Sequence, residues 1–299
     1  MIKSMIKRVA TIALAGAMLI GSLSVNNLQV EAKEHNTGKL WYSSREDYWN
    51  IWDATGYTEG RPAEFWVGDF GYKKLSNNTA AVTLFMGYEN TALNIPATVT
   101  YEGVTYTVTR IGREDESIYL GDTTFPNYHN SFTGLVIPST VTEIGEGAFS
   151  GMNISGKITI PDTVTKLGKG AFAANETVNE IVIGSGITKI PKMCFSGNTN
   201  VTKVTIGKNV KTISEEAFAG CKLKNVVIKS KKLKKIGNNA FSCHKWVKKN
   251  EFTVSVGISR KITVKVPKSK LNEYKKLVTK SWKKTDAFTK DNKYTFKKM

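Results

Sequence analysis

The feature that most limits what this chain can fold into is a sequence repeat of 23 residues. Five segments align without gaps: VTEIGEGAFSG (141–151), VTKLGKGAFAA (164–174), ITKIPKMCFSG (187–197), VKTISEEAFAG (210–220) and LKKIGNNAFSC (233–243). Their phenylalanines keep the period of 23 residues, at Phe149, Phe172, Phe195, Phe218 and Phe241. A fixed period of this length is typical of solenoids, in which one structural unit stacks on the next.

Each segment follows a short strand-like piece. The five pieces are LVIP (135–138), ITIP (158–161), IVIG (181–184), VTIG (204–207) and VVIK (226–229). Side chains alternate along a strand, so Ile158 and Ile160 point to one side while Lys157 and Thr159 point to the other. One repeat buries about five or six large apolar side chains, worth roughly 10 kcal/mol in total. Ordering its backbone costs more, at ~1–2 kcal/mol per residue, so the units fold only as a stack.

The repeated pattern, L-x-I-P-x-x-V-x-x-I-G-x-x-A-F-x-x-C, resembles the BspA-like leucine-rich repeats of bacterial secreted and surface proteins. The resemblance covers residues 93–267. It implies a β-rich leucine-rich-repeat solenoid with short parallel strands stacked on a concave face. It also implies roles in adhesion and protein binding, although the family is functionally broad.

The first 32 residues are predicted to be a secretory signal peptide rather than part of the fold. A positive start at Lys3, Lys7 and Arg8 precedes an uncharged apolar run over 9–25, and Ala32 ends a plausible cleavage site. A retained membrane anchor is the alternative, which the short apolar run disfavours because a bilayer needs ~20 residues. We therefore expect an extracellular protein, free or associated with the cell wall, with no transmembrane segment after signal removal.

Residues 33–92 are not repeats and hold four of the six tryptophans. We predict an aromatic-rich cap that shields the first repeat, with turns at Gly71 and at Asn77–Asn78. A sugar- or partner-binding module is the alternative.

The repeats of 93–267 contain two insertions. Residues 100–108 are predicted to form a hairpin that turns at Glu102–Gly103, and 113–131 form either a contact loop or a tolerated surface insertion.

Residues 268–299 are predicted to form a basic helical cap and tail, following strands over 252–256 and 262–266. The helix is expected over 267–282 with Ser269 as a candidate N-cap. Its apolar face is predicted to carry Leu271, Tyr274, Leu277, Val278 and Trp282. Closing the last coil is the favoured role, and lying on a membrane is the alternative.

Positive charge is concentrated in the last third of the chain. The net charge is +18, and residues 200–299 carry 27 Lys and Arg against 6 Asp and Glu. Either this surface keeps the protein soluble or it binds a polyanion such as an anionic cell-wall polymer. The predicted polyanion-binding cluster is Lys229, Lys231, Lys232, Lys234, Lys235, Lys245, Lys248 and Lys249.

The sequence offers little support for catalysis, and we expect no catalytic residue, no metal and no cofactor. The three histidines lie far apart, and no phosphate loop, nucleophile elbow or His-x-x-x-His pair is present. Cys194, Cys221 and Cys243 fit buried small positions better than a zinc site, and a disulfide between the last two stays open. An enzyme with its site in 33–92 is the least favoured alternative.

Alternation along the strands predicts two outward rows, which form the candidate binding surface. The predicted partner-binding residues are Lys157, Thr159, Glu180, Val182, Lys203, Thr205, Asn225 and Val227. Flat, β-branched strips bind proteins in solenoids, although the same residues also favour strand formation without any partner. We expect a protein or glycan ligand on a host or bacterial surface, and no specific nucleic acid.

Overall fold

A computed structural model of the chain describes residues 63–85, 91–112, 132–249, 252–282 and 291–299, together with three strands between residues 21 and 41. For these three strands, and for 244–249 and 252–255, only the backbone is described. The chain divides into two compact units, Met1–Pro62 and Ala63–Met299.

The first unit contains an antiparallel sheet of three strands: β1 (Gly21–Val25), β2 (Leu28–Glu34) and β3 (Leu40–Trp41). Most of the predicted apolar run of the signal peptide lies outside the described residues, and the predicted cleavage site falls within β2. Export therefore stays a prediction.

The second unit begins with an antiparallel meander of β4 (Phe65–Val67), β5 (Phe70–Lys74) and β6 (Thr79–Phe85). The turn at Asn77–Asn78 is confirmed, with φ of 57° and 51°. The predicted turn at Gly71 is wrong, because the chain turns at Gly68 and Gly71 lies within β5. A Cβ at Gly71 would lie 2.9 Å from the Ala63 Cβ, so this glycine permits a close approach instead of a turn.

The predicted hairpin is confirmed. After β7 (Ala92–Asn94), β8 (Thr98–Tyr101) pairs antiparallel with β9 (Val104–Ile111). Glu102 and Gly103 form the two-residue turn with φ of 49° and 78°, the left-handed conformation that such turns require. Strand β9 also pairs in parallel with β6, which joins the meander to the repeats. The insertion over 113–131 lies outside the described residues.

Each repeat places one strand in each of two stacks. The first stack is β10 (Gly134–Val136), β12 (Gly156–Ile160), β14 (Val178–Ile183), β16 (Lys203–Ile206) and β18 (Asn225–Ile228). The second is β11 (Glu143–Ile144), β13 (Lys166–Leu167), β15 (Lys189–Ile190), β17 (Thr212–Ile213) and β19 (Lys235–Ile236). Parallel ladders join β12, β14, β16 and β18 in the first stack, whereas β10 pairs with β7. In the second stack parallel ladders join β11 to β13, and β15 to β17 and β19.

The repeat phenylalanines form a column through the core, as their spacing predicts. The four centroid distances between successive rings are 5.0, 5.5, 5.2 and 5.7 Å, and every interplanar angle is 17° or less. All five rings are buried. Each coil therefore completes the core of its neighbour, which is why no single repeat needs to be stable alone.

Buried asparagines form a second column beside the phenylalanines. The Asn198 side chain donates to the carbonyl oxygens of Phe172 (2.9 Å) and Phe195 (2.7 Å), and it accepts a bond from the Asn175 backbone N–H (3.0 Å). The Asn175 side chain spans Phe149 and Phe172 in the same way. In the next coil the thiol of Cys221 takes this position, 3.3 Å from the Phe195 oxygen.

After the repeats, β20 (Cys243–Lys249) and β21 (Phe252–Ile258) form an antiparallel hairpin, and β22 (Lys261–Val266) pairs in parallel with β18. A single 3-10 turn, Lys268–Lys270, leads into helix α1 (Leu271–Lys280). The predicted helix is confirmed, and Tyr274 and Val278 are buried. Ser269 is not its N-cap: it lies inside the 3-10 turn, and no side chain caps α1.

The last strand, β23 (Lys293–Lys298), was not predicted from the sequence. It pairs in parallel with β22 over six positions and ends the sheet of order β12-β14-β16-β18-β22-β23. Just before it, the Asn292 side chain donates to the Phe241 carbonyl oxygen at 2.7 Å. The strand extends the sheet and the asparagine bonds to a core phenylalanine carbonyl oxygen, which are the interactions that a further coil of the solenoid would make.

Candidate binding surface

The two outward rows predicted from alternation are in register across the repeats. Lys157, Glu180, Lys203 and Asn225 are consecutive partners across β12, β14, β16 and β18. Thr159, Val182, Thr205 and Val227 are likewise consecutive partners. The residues between the rows, such as Ile158 and Ile181, are fully buried. The stack thus aligns one outward side chain per coil along each row.

The rows differ in how much of each side chain reaches solvent. Lys157, Thr159, Lys203 and Asn225 are exposed, whereas Glu180, Val182 and Val227 are half-buried. Thr205 is only 8% exposed, so it contributes little contact area. The Lys203 ammonium lies 3.0 Å from a Glu180 carboxylate oxygen and joins two adjacent coils. In the middle of this surface the charges are therefore paired, and the remaining outward residues are small and β-branched.

The predicted basic cluster does not lie on one strand face. Lys229 directly follows β18, Lys231, Lys232 and Lys234 lie in the turn after it, and Lys235 lies on β19 of the other stack. These five lysines are exposed, and Lys232 donates to the Asn209 side-chain oxygen at 2.8 Å. The side chains of Lys245, Lys248 and Lys249, on β20, lie outside the described residues.

Four lysines that were not predicted as site residues lie on β22 and β23. Lys265 and Lys297 continue the row that begins at Thr159, and Lys261 and Lys293 lie four residues before them on the same strands. Lys261 is the partner of Lys293, and Lys265 is the partner of Lys297. All four are exposed, and Lys265 follows Val227 in the row that begins at Thr159. The signal was present in the sequence, since KITVKV (261–266) and KYTFKK (293–298) share the same alternation of lysine, threonine and apolar residues. We call Lys261, Lys265, Lys293 and Lys297 the lysine square.

An open groove of about 820 Å³ lies beyond the end of β22. Its lining is Lys229, Lys231, Pro267, Lys268, Ser269 and Met299. The groove begins one residue after Val266, which is the partner of Lys298, so it continues the strand face in the direction of the strands.

Burial shifts the pKa of several titratable groups in the second unit. Burial raises the pKa of the Cys194 and Cys221 thiols, so neither is a thiolate nucleophile at neutral pH. The disulfide left open between Cys221 and Cys243 is not formed in this structure. Burial, and then the neighbouring Glu215, raises the pKa of Glu216, while the Glu215 carboxylate lies 3.1 Å from the Lys192 ammonium.

Neither a metal cluster nor a membrane-spanning helix is found among the described residues. No group of three or more His, Cys, Asp and Glu side chains in that part of the chain could hold a metal ion. Within the same residues, no helix is long and apolar enough to cross a membrane.

Two stacks of short parallel strands around a shared phenylalanine column define a leucine-rich-repeat solenoid. Residues 118–247 match the family described as BspA type leucine rich repeat region, in six copies. The match lies within the repeats, as their sequence pattern predicts. No curated protein matches the chain.

Several solved structures are similar to this chain. A leucine rich cell surface protein from Faecalibacterium prausnitzii is 23% identical over 79% of this chain and 77% of its own, with a TM-score of 0.45. A leucine-rich repeat protein from Bacteroides ovatus is 18% identical, over 79% of this chain and 78% of its own, with a TM-score of 0.30. The leucine rich repeat protein of T. pallidum is 14% identical, over 50% of this chain and 88% of its own, with a TM-score of 0.29.

Proposed function

We propose that this chain is an exported, non-catalytic interaction module that binds a protein partner through the outward face of β12, β14, β16 and β18. The observation that carries the proposal is the register of the two rows, which brings side chains from four coils onto one continuous face. Val182 and Val227 supply apolar contact area, and Thr159 and Asn225 supply exposed polar groups on the same face. An apolar centre with a polar rim is the usual composition of a protein-binding surface.

A pair of matched variants tests this proposal. Thr159→Arg with Val182→Arg places two long charged side chains on the outward face, where they would obstruct a partner. Thr165→Arg with Thr188→Arg adds the same charge at exposed positions beside the second stack, in adjacent coils. Pull-downs with the mature chain from host and bacterial surface extracts should recover the same partner with wild type and with the control.

The first variant should bind that partner at least about tenfold more weakly. Equal recovery with all three proteins would place the contact elsewhere and contradict the proposal. Circular dichroism and thermal unfolding of both variants establish that each retains the solenoid fold.

Retention by charge is a second candidate function, in which the basic last third holds the protein to an anionic surface polymer. It is favoured by the exposure of Lys229, Lys231, Lys232, Lys234 and Lys235 and by the addition of the lysine square. Electrostatic retention weakens steeply with ionic strength. Washing cells with rising concentrations of NaCl should therefore release the protein at moderate salt, whereas retention at high salt would point to the specific partner alone.

A further inference from the structure

We infer that the outward face of β22 and β23 is a binding site for a linear phosphodiester polymer that carries no bases. This inference rests on the second proposed function, retention by charge, and gives it a location and a ligand chemistry. Its central feature is the lysine square, two like-charged pairs held in register on neighbouring strands.

The lysine square concentrates charge on a small area. Partner strands lie ~4.8 Å apart, and residues four apart along a strand are separated by about 13 Å. Like charges placed directly opposite in a sheet are destabilising, and here two such pairs stand side by side. An anion on this face would remove that repulsion. The electrostatic repulsion among the four lysines is therefore lower when an anion is bound than when the site is empty.

No described carboxylate offsets this charge on the same face. The outward residues of β16, β18, β22 and β23 are Lys203, Thr205, Asn225, Val227, Lys261, Thr263, Lys265, Lys293, Thr295 and Lys297. The first carboxylate beyond them in the rows, that of Glu180, is paired with Lys203. Asp291 precedes β23 and is half-buried, and burial raises the pKa of its carboxyl group.

The neighbouring residues select the chemistry of the anion. Thr263 and Thr295 are partners between the two lysine pairs, so their hydroxyl groups can donate to phosphate oxygens. Tyr294 and Phe296 pack against the core, which leaves no aromatic ring on the outward side of β23 to stack a base. The outward side of β22 and β23 also lacks apolar residues of the kind that form the centre of a protein interface. A phosphodiester polymer without bases matches this combination of lysines and threonine hydroxyl groups with no outward aromatic or apolar side chain.

The length of the site suits a polymer better than a single phosphate group. The open groove extends the face beyond Val266 and adds Lys229, Lys231 and Lys268 to the positive lining. Strand β22 itself covers about 17 Å from Lys261 to Val266, and the groove lies beyond its end. Several phosphates of one chain can therefore contact lysines at the same time.

Two variants of equal charge test the inference. The site variant replaces all four residues of the lysine square by glutamine. The control variant carries Lys73→Gln, Lys189→Gln, Lys275→Gln and Lys276→Gln, which are exposed and lie on β5, on β15 and on α1. Titration calorimetry of the full mature chain with a defined poly(glycerol phosphate) of about 12 phosphates gives the dissociation constant at several salt concentrations. A dT oligomer with the same number of phosphates is titrated in parallel.

We expect the site variant to bind the polymer at least tenfold more weakly, and the control variant to stay within threefold of wild type. The slope of log K against log salt should fall by about 0.7 for each phosphate that the variant no longer neutralises. Equal weakening in both variants, or weakening in neither, would overturn the inference. So would a dT oligomer that binds wild type more tightly than poly(glycerol phosphate), because nucleic acid would then be the ligand.

Two further measurements make these outcomes decisive. The thermal midpoint of the site variant should not fall, since its like-charge pairs are removed. If it does fall, the double variant Lys265→Thr with Lys297→Thr repeats the test with residues that favour strands. Release of the wild-type chain from cells by salt tests the proposed retention separately, because it does not depend on which lysines bind the polymer.

Discussion

At the scale of single residues, the position three residues after the core phenylalanine adds side-chain hydrogen bonds between adjacent coils in three of the repeats. This position is Asn175 and Asn198 in two coils and Cys221 in the next. Both asparagines are fully buried, and each bonds to carbonyl oxygens of two coils that the strand ladders do not reach. An asparagine can do this because its amide group provides two donors and an acceptor.

Replacing one of these asparagines should be costly. Asn198→Ala removes the acceptor of the buried Asn175 backbone N–H, and one unsatisfied group of this kind costs about 1–3 kcal/mol. It also removes one of the two side-chain donors to each of the Phe172 and Phe195 carbonyl oxygens, which keep Asn175 and Cys221 respectively. Asn198→Cys should be less destabilising, because Cys221 shows that a thiol can occupy this site and reach one carbonyl oxygen. Urea unfolding followed by circular dichroism measures the difference. Equal stability of Asn198→Ala and wild type would show that the asparagine column adds nothing.

At the scale of elements, the sequence predicted the features that depend on the 23-residue period. The two stacks of strands, the phenylalanine column and the in-register rows follow from 23-residue spacing together with alternation, and the turn at Glu102–Gly103 follows from local turn chemistry. Strand β21 was predicted over 252–256, but its hairpin partner β20 and the return of β23 were not, because no repeat phase specifies them. Pairing between β22 and β23 joins segments separated by α1 and the residues after it, which local patterns do not reveal.

Helix α1 shows how a non-repeated element is attached to the solenoid. The buried Tyr274 hydroxyl accepts a bond from the Leu233 backbone N–H (3.0 Å) and donates to the Ser230 carbonyl oxygen (3.1 Å). The sequence predicted Tyr274 on the apolar face, but not that its hydroxyl satisfies the turn of the last repeat. That turn is one residue longer than in the preceding coil, since Ile228 to Ile236 is eight residues and Ile206 to Ile213 is seven. Its buried backbone groups find their partner in the helix instead of in the stack.

Tyr274→Phe is therefore expected to destabilise the protein although it keeps the ring. Two buried backbone groups lose their partner, at a cost of about 1–3 kcal/mol each, which lowers the thermal midpoint by several degrees. Lys276→Ala, at an exposed position of the same helix, should change the midpoint little. Differential scanning calorimetry compares the two. If the Tyr274→Phe variant melts at the wild-type temperature, the hydroxyl group is not needed to satisfy this turn.

At the scale of the whole second unit, stability depends on how the ends of the stack are closed, because each coil relies on a neighbour at both sides. The antiparallel meander and β9 close one end. At the other end, β23 covers β22, and Asn292 supplies the Phe241 carbonyl oxygen with the bond that Asn175 and Asn198 supply inside the stack. As the edge strand, β23 carries Lys293, Lys297 and Lys298, and charged side chains of this kind discourage pairing with another sheet.

Removing residues 291–299 should therefore do more than shorten the chain. It exposes the edge of β22 and takes away the partly buried Tyr294 and Phe296 and the Asn292 bond. We expect a lower thermal midpoint and concentration-dependent aggregation, measured by calorimetry and light scattering. Asn292→Ala keeps the strand and should cost only the hydrogen bonds of that side chain, without aggregation. If the shortened chain stays monomeric and has the same thermal midpoint as wild type, the last coil is stable without β23. The strand would then serve only to hold Lys293 and Lys297 in place.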